Sequence, residues 1–292
     1  MTNTGPFRSV LFVPLTAPRF IEKAAQSVAD AICLDLEDAV APDQKDAARA
    51  AAPAAIDTLA ASGCAVWVRI NAIDSRHSEA DLDAIVRPGL SAVMLPKAGS
   101  AADIARLEEA LSRLEGEPGL DAAKAVAIVP LIETPRGILH AEGVCGASPR
   151  VIAAAFGAED FRAQMRTGDS TAALAYPRAH LAVVCAAAGI EAIDTIDTQY
   201  SDLPALEAGM RQVRALGFGG KLCIHPAQVP IANEVFRPGE AELAEARAIV
   251  TAFERDGLAK GRAAIPLGGK MIDTPIYWRA KRLLEAAERT EK

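Results

Sequence analysis

Residues Ala125–Glu133 read AVAIVPLIE. Eight apolar positions in succession, with no polar residue between them, describe a strand covered on both faces. A parallel sheet sandwiched between a core and an outer layer of helices requires strands of that kind. Outward from it, seven further runs have the same character: Val10–Pro14, Ala31–Glu37, Ala65–Asn71, Ala92–Lys97, Val151–Asp160, Glu191–Asp197 and Lys221–Pro226. Ala-, Glu- and Arg-rich stretches of helical period separate them, which is the pattern of repeated βα units. Eight strands close a barrel, so the expected fold is a (β/α)₈ TIM barrel over residues 1–236, with an open doubly wound sheet as the alternative. Residues 237–292 exceed what a barrel needs. Gly239–Leu258 reads as a helix, Leu267–Gly269 as a Gly-rich loop and Thr274–Arg289 as a last helix, together a C-terminal helical extension.

A chain of 292 residues with 51% apolar and 24% charged content can bury a large core. Its net charge of −7 opposes a nucleic-acid surface, which needs a concentrated basic footprint. The N-terminus lacks a long apolar segment and no stretch approaches the roughly 20 apolar residues of a membrane helix. A cytoplasmic protein without nucleic-acid or membrane partners is therefore expected. Five cysteines lie far apart, with no CxxC pair, and read as buried free thiols.

Catalytic groups of a βα barrel sit at the C-terminal ends of its strands. Those ends are polar here: Asp35-Leu36-Glu37-Asp38, Arg69-Ile70-Asn71, Pro96-Lys97, Glu133, Glu159-Asp160 and His225. One acid at a strand end is usually the N-cap of the next helix, but several acids and cations on one rim point to a site. Glu133 and Asp160 lie about one βα unit apart and should project side by side from adjacent strands. Two carboxylates so placed suit a divalent ion such as Mg²⁺, which takes one or two carboxylates plus water and substrate oxygens. An acid/base dyad, in which repulsion raises one pKa, is the rival reading. No zinc-spaced His/Cys cluster, P-loop or GxGxxG after a strand is present.

Longer motifs carry a resemblance. RSVLFVP (Arg8–Pro14), CLDLEDAVAPDQKDAAR (Cys33–Arg49), VRIN (Val68–Asn71), MLPK (Met94–Lys97), LIETPRGI (Leu131–Ile138), FGAEDF (Phe156–Phe161), KLCIHPAQV (Lys221–Val229) and GKMIDTP (Gly269–Pro275) stand in the order found in citrate lyase beta chains and in malyl-CoA and citramalyl-CoA lyases of the HpcH/HpaI aldolase superfamily. The chain resembles that family over nearly its whole length. The resemblance implies Glu133 and Asp160 as ligands of Mg²⁺, with Mn²⁺ as a substitute. It implies Arg69 on the substrate's oxygens and as stabiliser of an enolate, and Lys97, His225, Pro226 and Gln228 as substrate contacts. Glu37 and Asp38 would support the metal's waters or orient Lys45 and Arg69. Arg19 and Lys23 stand where CoA phosphates or solvent alone could meet them. Asp273, by its position an N-cap, becomes by resemblance the acid/base of a C-terminal segment that completes a neighbouring subunit's active site, in a homotrimer or homohexamer.

The implied reaction is reversible cleavage of a 3-hydroxyacyl-CoA, such as malyl-, citramalyl- or citryl-CoA, to an acyl-CoA and a 2-oxo acid. Alternatives are a citrate lyase beta-type subunit using an acyl-carrier-protein thioester, a metal-dependent aldolase on free 2-oxo acids, a malyl-CoA thioesterase, and a non-catalytic acyl-CoA-binding barrel. Phe161-Arg162-Ala163-Gln164-Met165-Arg166 departs from the family pattern. Its two arginines either favour a more anionic substrate or ride on the outer helix.

Overall fold

The computed structural model describes residues 5–116, 125–168 and 171–290. Eight strands follow one another: β1 (Ser9–Pro14), β2 (Ala31–Asp35), β3 (Ala65–Arg69), β4 (Leu90–Leu95), β5 (Ala127–Ile132), β6 (Ala153–Phe156), β7 (Glu191–Asp194) and β8 (Gly220–Cys223). Each pairs in parallel with the next and β8 returns to β1, so the sheet closes and the open-sheet alternative falls. The helices are α1 (Pro18–Ala24), α2 (Lys45–Ala61), α3 (Ser78–Ile85), α4 (Ala101–Glu115), α5 (Pro135–Leu139), α6 (Ala141–Cys145), α7 (Ala158–Met165), α8 (Ala175–Ala188), α9 (Leu203–Leu216) and α10 (Gln228–Val235).

Successive strand residues face opposite sides of a sheet, and the two faces form two separate apolar layers. Val10, Cys33, Trp67, Met94, Val129, Ala155, Ile193 and Leu222 fill the barrel. Leu11, Ile32, Leu34, Val68, Val93 and Ile128 meet the helices, where Ile56, Leu59, Ile104 and Leu107 cover them. The barrel is packed rather than open. Trp67 is fully buried, with the Phe7 ring edge-on at 4.7 Å.

Three features differ from the sequence reading. β6 ends at Phe156, so Glu159 and Asp160 are not at a strand end but in the first turn of α7. There the free N–H groups and the positive end of the helix favour acids. The segment Thr171–Ala188 is long and apolar enough, by length and composition alone, to be weighed as a membrane span. In the fold it wraps the barrel, burying Pro177, Leu181, Val184 and Cys185. Its Arg178 donates to the buried Asp194 at 2.8 Å, which Lys221 of β8 also meets at 2.9 Å. Burial opposes the charge on Asp194, but Lys221 and Arg178 together hold its pKa below the ordinary value.

The third difference is in the second compact unit, Arg237–Lys292. Between α11 (Glu240–Asp256) and α12 (Thr274–Thr290) an antiparallel hairpin, β9 (Ala264–Leu267) and β10 (Lys270–Asp273), replaces the expected Gly-rich loop. Gly268 and Gly269, at φ 57° and 77°, form its turn. Two consecutive positive φ values are what a two-residue hairpin turn requires and what glycine supplies. Ile249, Phe253, Ile265, Ile272 and Tyr277 form this unit's own core. The first unit, Met1–Phe236, is the barrel.

Candidate active site

The period-2 rule continues past the barrel's filled interior and places the next inward positions at its mouth. Phe12, Asp35, Arg69, Leu131, Glu133, Gly157, Thr195, Leu222 and Ile224 line one cavity of about 320 Å³, joined by Asp160 from α7.

The cation of the site is built first. Asp35 and Arg69 are Cα neighbours in the β2–β3 register. Their side chains pair fork to fork, Nε to Oδ1 at 2.8 Å and Nη2 to Oδ2 at 2.5 Å. The same carboxylate accepts the backbone N–H groups of Glu37 and Ala39 at 2.9 and 3.1 Å, so the loop after β2 also hangs from it. Nη1 of Arg69 stands 3.1 Å from Glu37 and 3.6 Å from Asp38, and the guanidinium lies 4.9 Å over the Phe12 ring. Burial works against the charge, but Asp35 and Glu37 more than offset it, so Arg69 is held above its ordinary pKa. A planar fork fixed on three sides is a preorganised donor.

Glu133 follows β5 and is buried. Its Oε1 accepts the backbone N–H of Lys97 at 2.8 Å. Lys97 takes a left-handed conformation, φ 54°, which costs a non-glycine residue energy. The bonds it makes offset this, because its Nζ also donates to Glu37 Oε1 at 2.7 Å. At the facing inward position of β6 stands Gly157, where a Cβ would fall 2.5 Å from the Cβ of Glu133 and 2.7 Å from Oε2. Only glycine leaves that carboxylate its place. On the other side, Thr195 Oγ1 accepts the N–H of Ala158 at 2.9 Å, fixing the start of α7 two residues before Asp160. Burial first, then the nearby charges of Glu37 and Asp160, push the Glu133 carboxyl up to about 8.

The donor set fits a hard divalent cation. Two carboxylates share a cavity, one of them pushed toward neutrality by burial and by its neighbours, and the carboxylate donors are all oxygens. Among the described residues no group of three or more His, Cys, Asp or Glu could hold a metal ion, so an ion here would draw its other ligands from water and substrate.

Other expected residues are distributed differently. Lys97 spends its amide on Glu133 and its ammonium on Glu37 rather than lining the cavity. Lys45 Nζ donates to the carbonyls of Leu36 and Glu37 at 2.8 and 2.7 Å, holding the loop and not a carboxylate. Gln228 is buried, its Oε1 accepting from Ile224 and His225 and its Nε2 donating to Asp197, so it shapes the loop after β8. His225 and Pro226 are exposed, and the imidazole stacks on Tyr200 with ring centres 5.2 Å apart. Asp273, in the second unit, accepts the N–H of Ile276 at 3.1 Å and caps α12. Asp35, Thr195, Gly157, Phe12 and Tyr200 were not given roles by sequence reasoning. Asp35 stood inside the acidic strand end, and Phe12 and Gly157 inside the quoted motifs RSVLFVP and FGAEDF, whereas Thr195 and Tyr200 carried no signal.

Comparison with known proteins places these features. A family profile described as HpcH/HpaI aldolase/citrate lyase matches residues 8–226. The chain is 36% identical to the citrate lyase subunit beta of Escherichia coli over 292 residues, covering 98% of this chain and 95% of that one. It is 34% identical to an L-malyl-CoA/beta-methylmalyl-CoA lyase of Cereibacter sphaeroides, over 97% of this chain and 95% of that one. Among solved structures, protein CitE from Mycobacterium tuberculosis in complex with magnesium, acetoacetate and coenzyme A superimposes with a TM-score of 0.75 at 31% identity, covering 96% of this chain and 97% of that one.

Proposed function

The chain belongs to the HpcH/HpaI aldolase/citrate lyase family and is a carbon–carbon lyase, and on that premise we propose that it is a Mg²⁺-dependent enzyme of 3-hydroxyacyl-CoA thioesters. In one direction it cleaves the thioester to an acyl-CoA and a 2-oxo acid, and in the other it condenses them. The observation that carries the reading is the placing of Glu133 and Asp160 in one cavity with Arg69, itself locked by Asp35.

Glu133 and Asp160 would hold the ion, which when bound supplies a Lewis acid for the 2-oxo acid's carbonyl oxygen. In cleavage a base removes the hydroxyl proton, that oxygen becomes the ketone of the 2-oxo acid, and the electron pair of the breaking carbon–carbon bond forms an enolate, toward whose thioester oxygen Arg69 donates. Its geometry is set before substrate arrives, so little reorganisation is needed. The enolate carbon then takes a proton from Asp273 of a neighbouring subunit's C-terminal unit. In condensation the same carboxylate removes a proton from the acyl-CoA carbon, the resulting carbanion adds to the oxo acid's carbonyl, and the alkoxide so formed takes a proton back from the group that acts as base in cleavage. His225, after β8, and Tyr200, in the loop after β7, offer an exposed ring pair on the face where a CoA moiety would lie.

Purified protein is tested with malyl-CoA and citramalyl-CoA, with and without Mg²⁺, trapping any 2-oxo acid as its phenylhydrazone. Mg²⁺-dependent glyoxylate or pyruvate is the expected product. Free CoA with no oxo acid would mean thioester hydrolysis. No product from an intact protein would leave carrier-protein thioesters or free oxo-acid aldol chemistry and remove the CoA-lyase reading.

A further inference from the structure

The cavity at the barrel mouth has two chemically distinct sides. One carries five carboxylates, Asp35, Asp38, Glu133, Glu159 and Asp160, against a single cation among its lining residues, Arg69. That guanidinium is gripped by Asp35, stands beside Glu37 and Asp38, and in the reading above gives its remaining donor to the thioester oxygen, which leaves none for a second carboxylate. The other side is apolar, built from Phe12, Leu131, Ile196, Leu222 and Ile224.

The two arginines that depart from the family pattern do not change this balance. Arg162 turns to Glu159 at 2.7 Å, and Arg166 closes α7 in a left-handed conformation. Neither lines the cavity. Lys97 is held by Glu37. A substrate whose oxo-acid half carries a second carboxylate would therefore set that group either against carboxylates or against aliphatic side chains, with no further guanidinium or ammonium among the described residues that this chain contributes to the lining. Burying an unpaired charge is strongly unfavourable. A small alkyl substituent on the same carbon meets the isoleucines and leaves water.

Resting on the lyase reading above, we infer that the 2-oxo acid this chain releases or accepts is a monocarboxylic one bearing a short alkyl group, the pyruvate class, and not a dicarboxylic one. Ile196 and Ile224 set that preference. The corresponding thioester has a tertiary alcohol carbon with one methyl or ethyl branch and one free carboxylate.

Binding separates this inference from the activity itself. The full-length protein, with Mg²⁺ in excess, is titrated calorimetrically with glyoxylate, pyruvate, 2-oxobutyrate and freshly prepared oxaloacetate. Pyruvate and 2-oxobutyrate are expected to bind about 10-fold or more tightly than oxaloacetate, since a site lacking the partner for a polar group discriminates at least that far. Oxaloacetate binding as tightly as pyruvate overturns the inference while leaving the lyase reading intact. No binding of any oxo acid overturns both. The variant Ile196→Arg, which adds a cation to the apolar side, should reverse the order, whereas Ile196→Val should preserve it. An unchanged order in a folded Ile196→Arg protein, judged by its circular dichroism, would also count against the assignment.

Discussion

Replacing Asp35 by asparagine removes the charge that holds Arg69 in a two-point grip and keeps the shape of the loop anchor. Because the oriented cation is what a developing enolate would meet, kcat/KM for thioester cleavage should fall by about 10²-fold or more, with a smaller change in stability. Gly157→Ala attacks the metal site instead. The added Cβ would occupy space 2.5 Å from the Cβ of Glu133, so Mg²⁺ affinity measured by calorimetry should drop, with about 1–3 kcal/mol lost from unfolding. Glu133 also makes a pH prediction. Its carboxyl rises from an ordinary 4.5 to about 8 in the folded protein, so the folded state binds that proton more tightly than the unfolded chain. Without Mg²⁺ this stabilisation is complete below about 4.5 and is lost as pH rises through 8. Bound Mg²⁺ needs the ionised carboxylate, so the rise in melting temperature on adding Mg²⁺ should be larger at pH 8 than at pH 6. An equal rise at both would remove Glu133 from the ligand set.

At the scale of elements, the eight strands were legible because continuous apolar runs alternating with helical period leave few other folds. Their ends were not. β6 stops at Phe156 because Glu159 and Asp160 suit a helix start better than a strand, a choice made by backbone N–H groups that periodicity does not report. The hairpin of the second unit escaped notice because each strand has only four residues, and GlyGly between them reads equally as loop or turn. Glu133, Asp160 and Arg69 were found as strand-end polar residues, and all three line the cavity. Thr195 was invisible, since its role depends on which helix start lies opposite the end of β7. Thr195→Val should leave Ala158 without its acceptor and weaken Mg²⁺ binding through α7, while Thr195→Ser should restore it. In the interior, Trp67→Ala should cost about 3–5 kcal/mol in urea unfolding, through a cavity that the barrel wall cannot close.

For the whole molecule, the proposal that one subunit's Asp273 serves another subunit's barrel predicts complementation. Arg69→Ala and Asp273→Asn proteins, each inactive alone, should regain turnover when unfolded together and refolded as a mixture, because some mixed sites then hold both native residues. A mixture as inactive as its components would confine each site to a single chain.

The apolar helix Thr171–Ala188 has a further consequence during synthesis. Arg178 is its only charged side chain, and its partner Asp194 lies 16 residues further along the chain. For the interval in which the ribosome has delivered the helix but not β7, the guanidinium alone marks the segment as unfit for the lipid bilayer, where an arginine at the centre of a helix costs about 2.5–3.5 kcal/mol on insertion. Arg178→Leu would thus do more than strip a buried carboxylate of one partner in the finished barrel. It would also leave the nascent segment without a formal charge and remove that insertion cost, so one residue bears on both the folded protein and the route by which it is made.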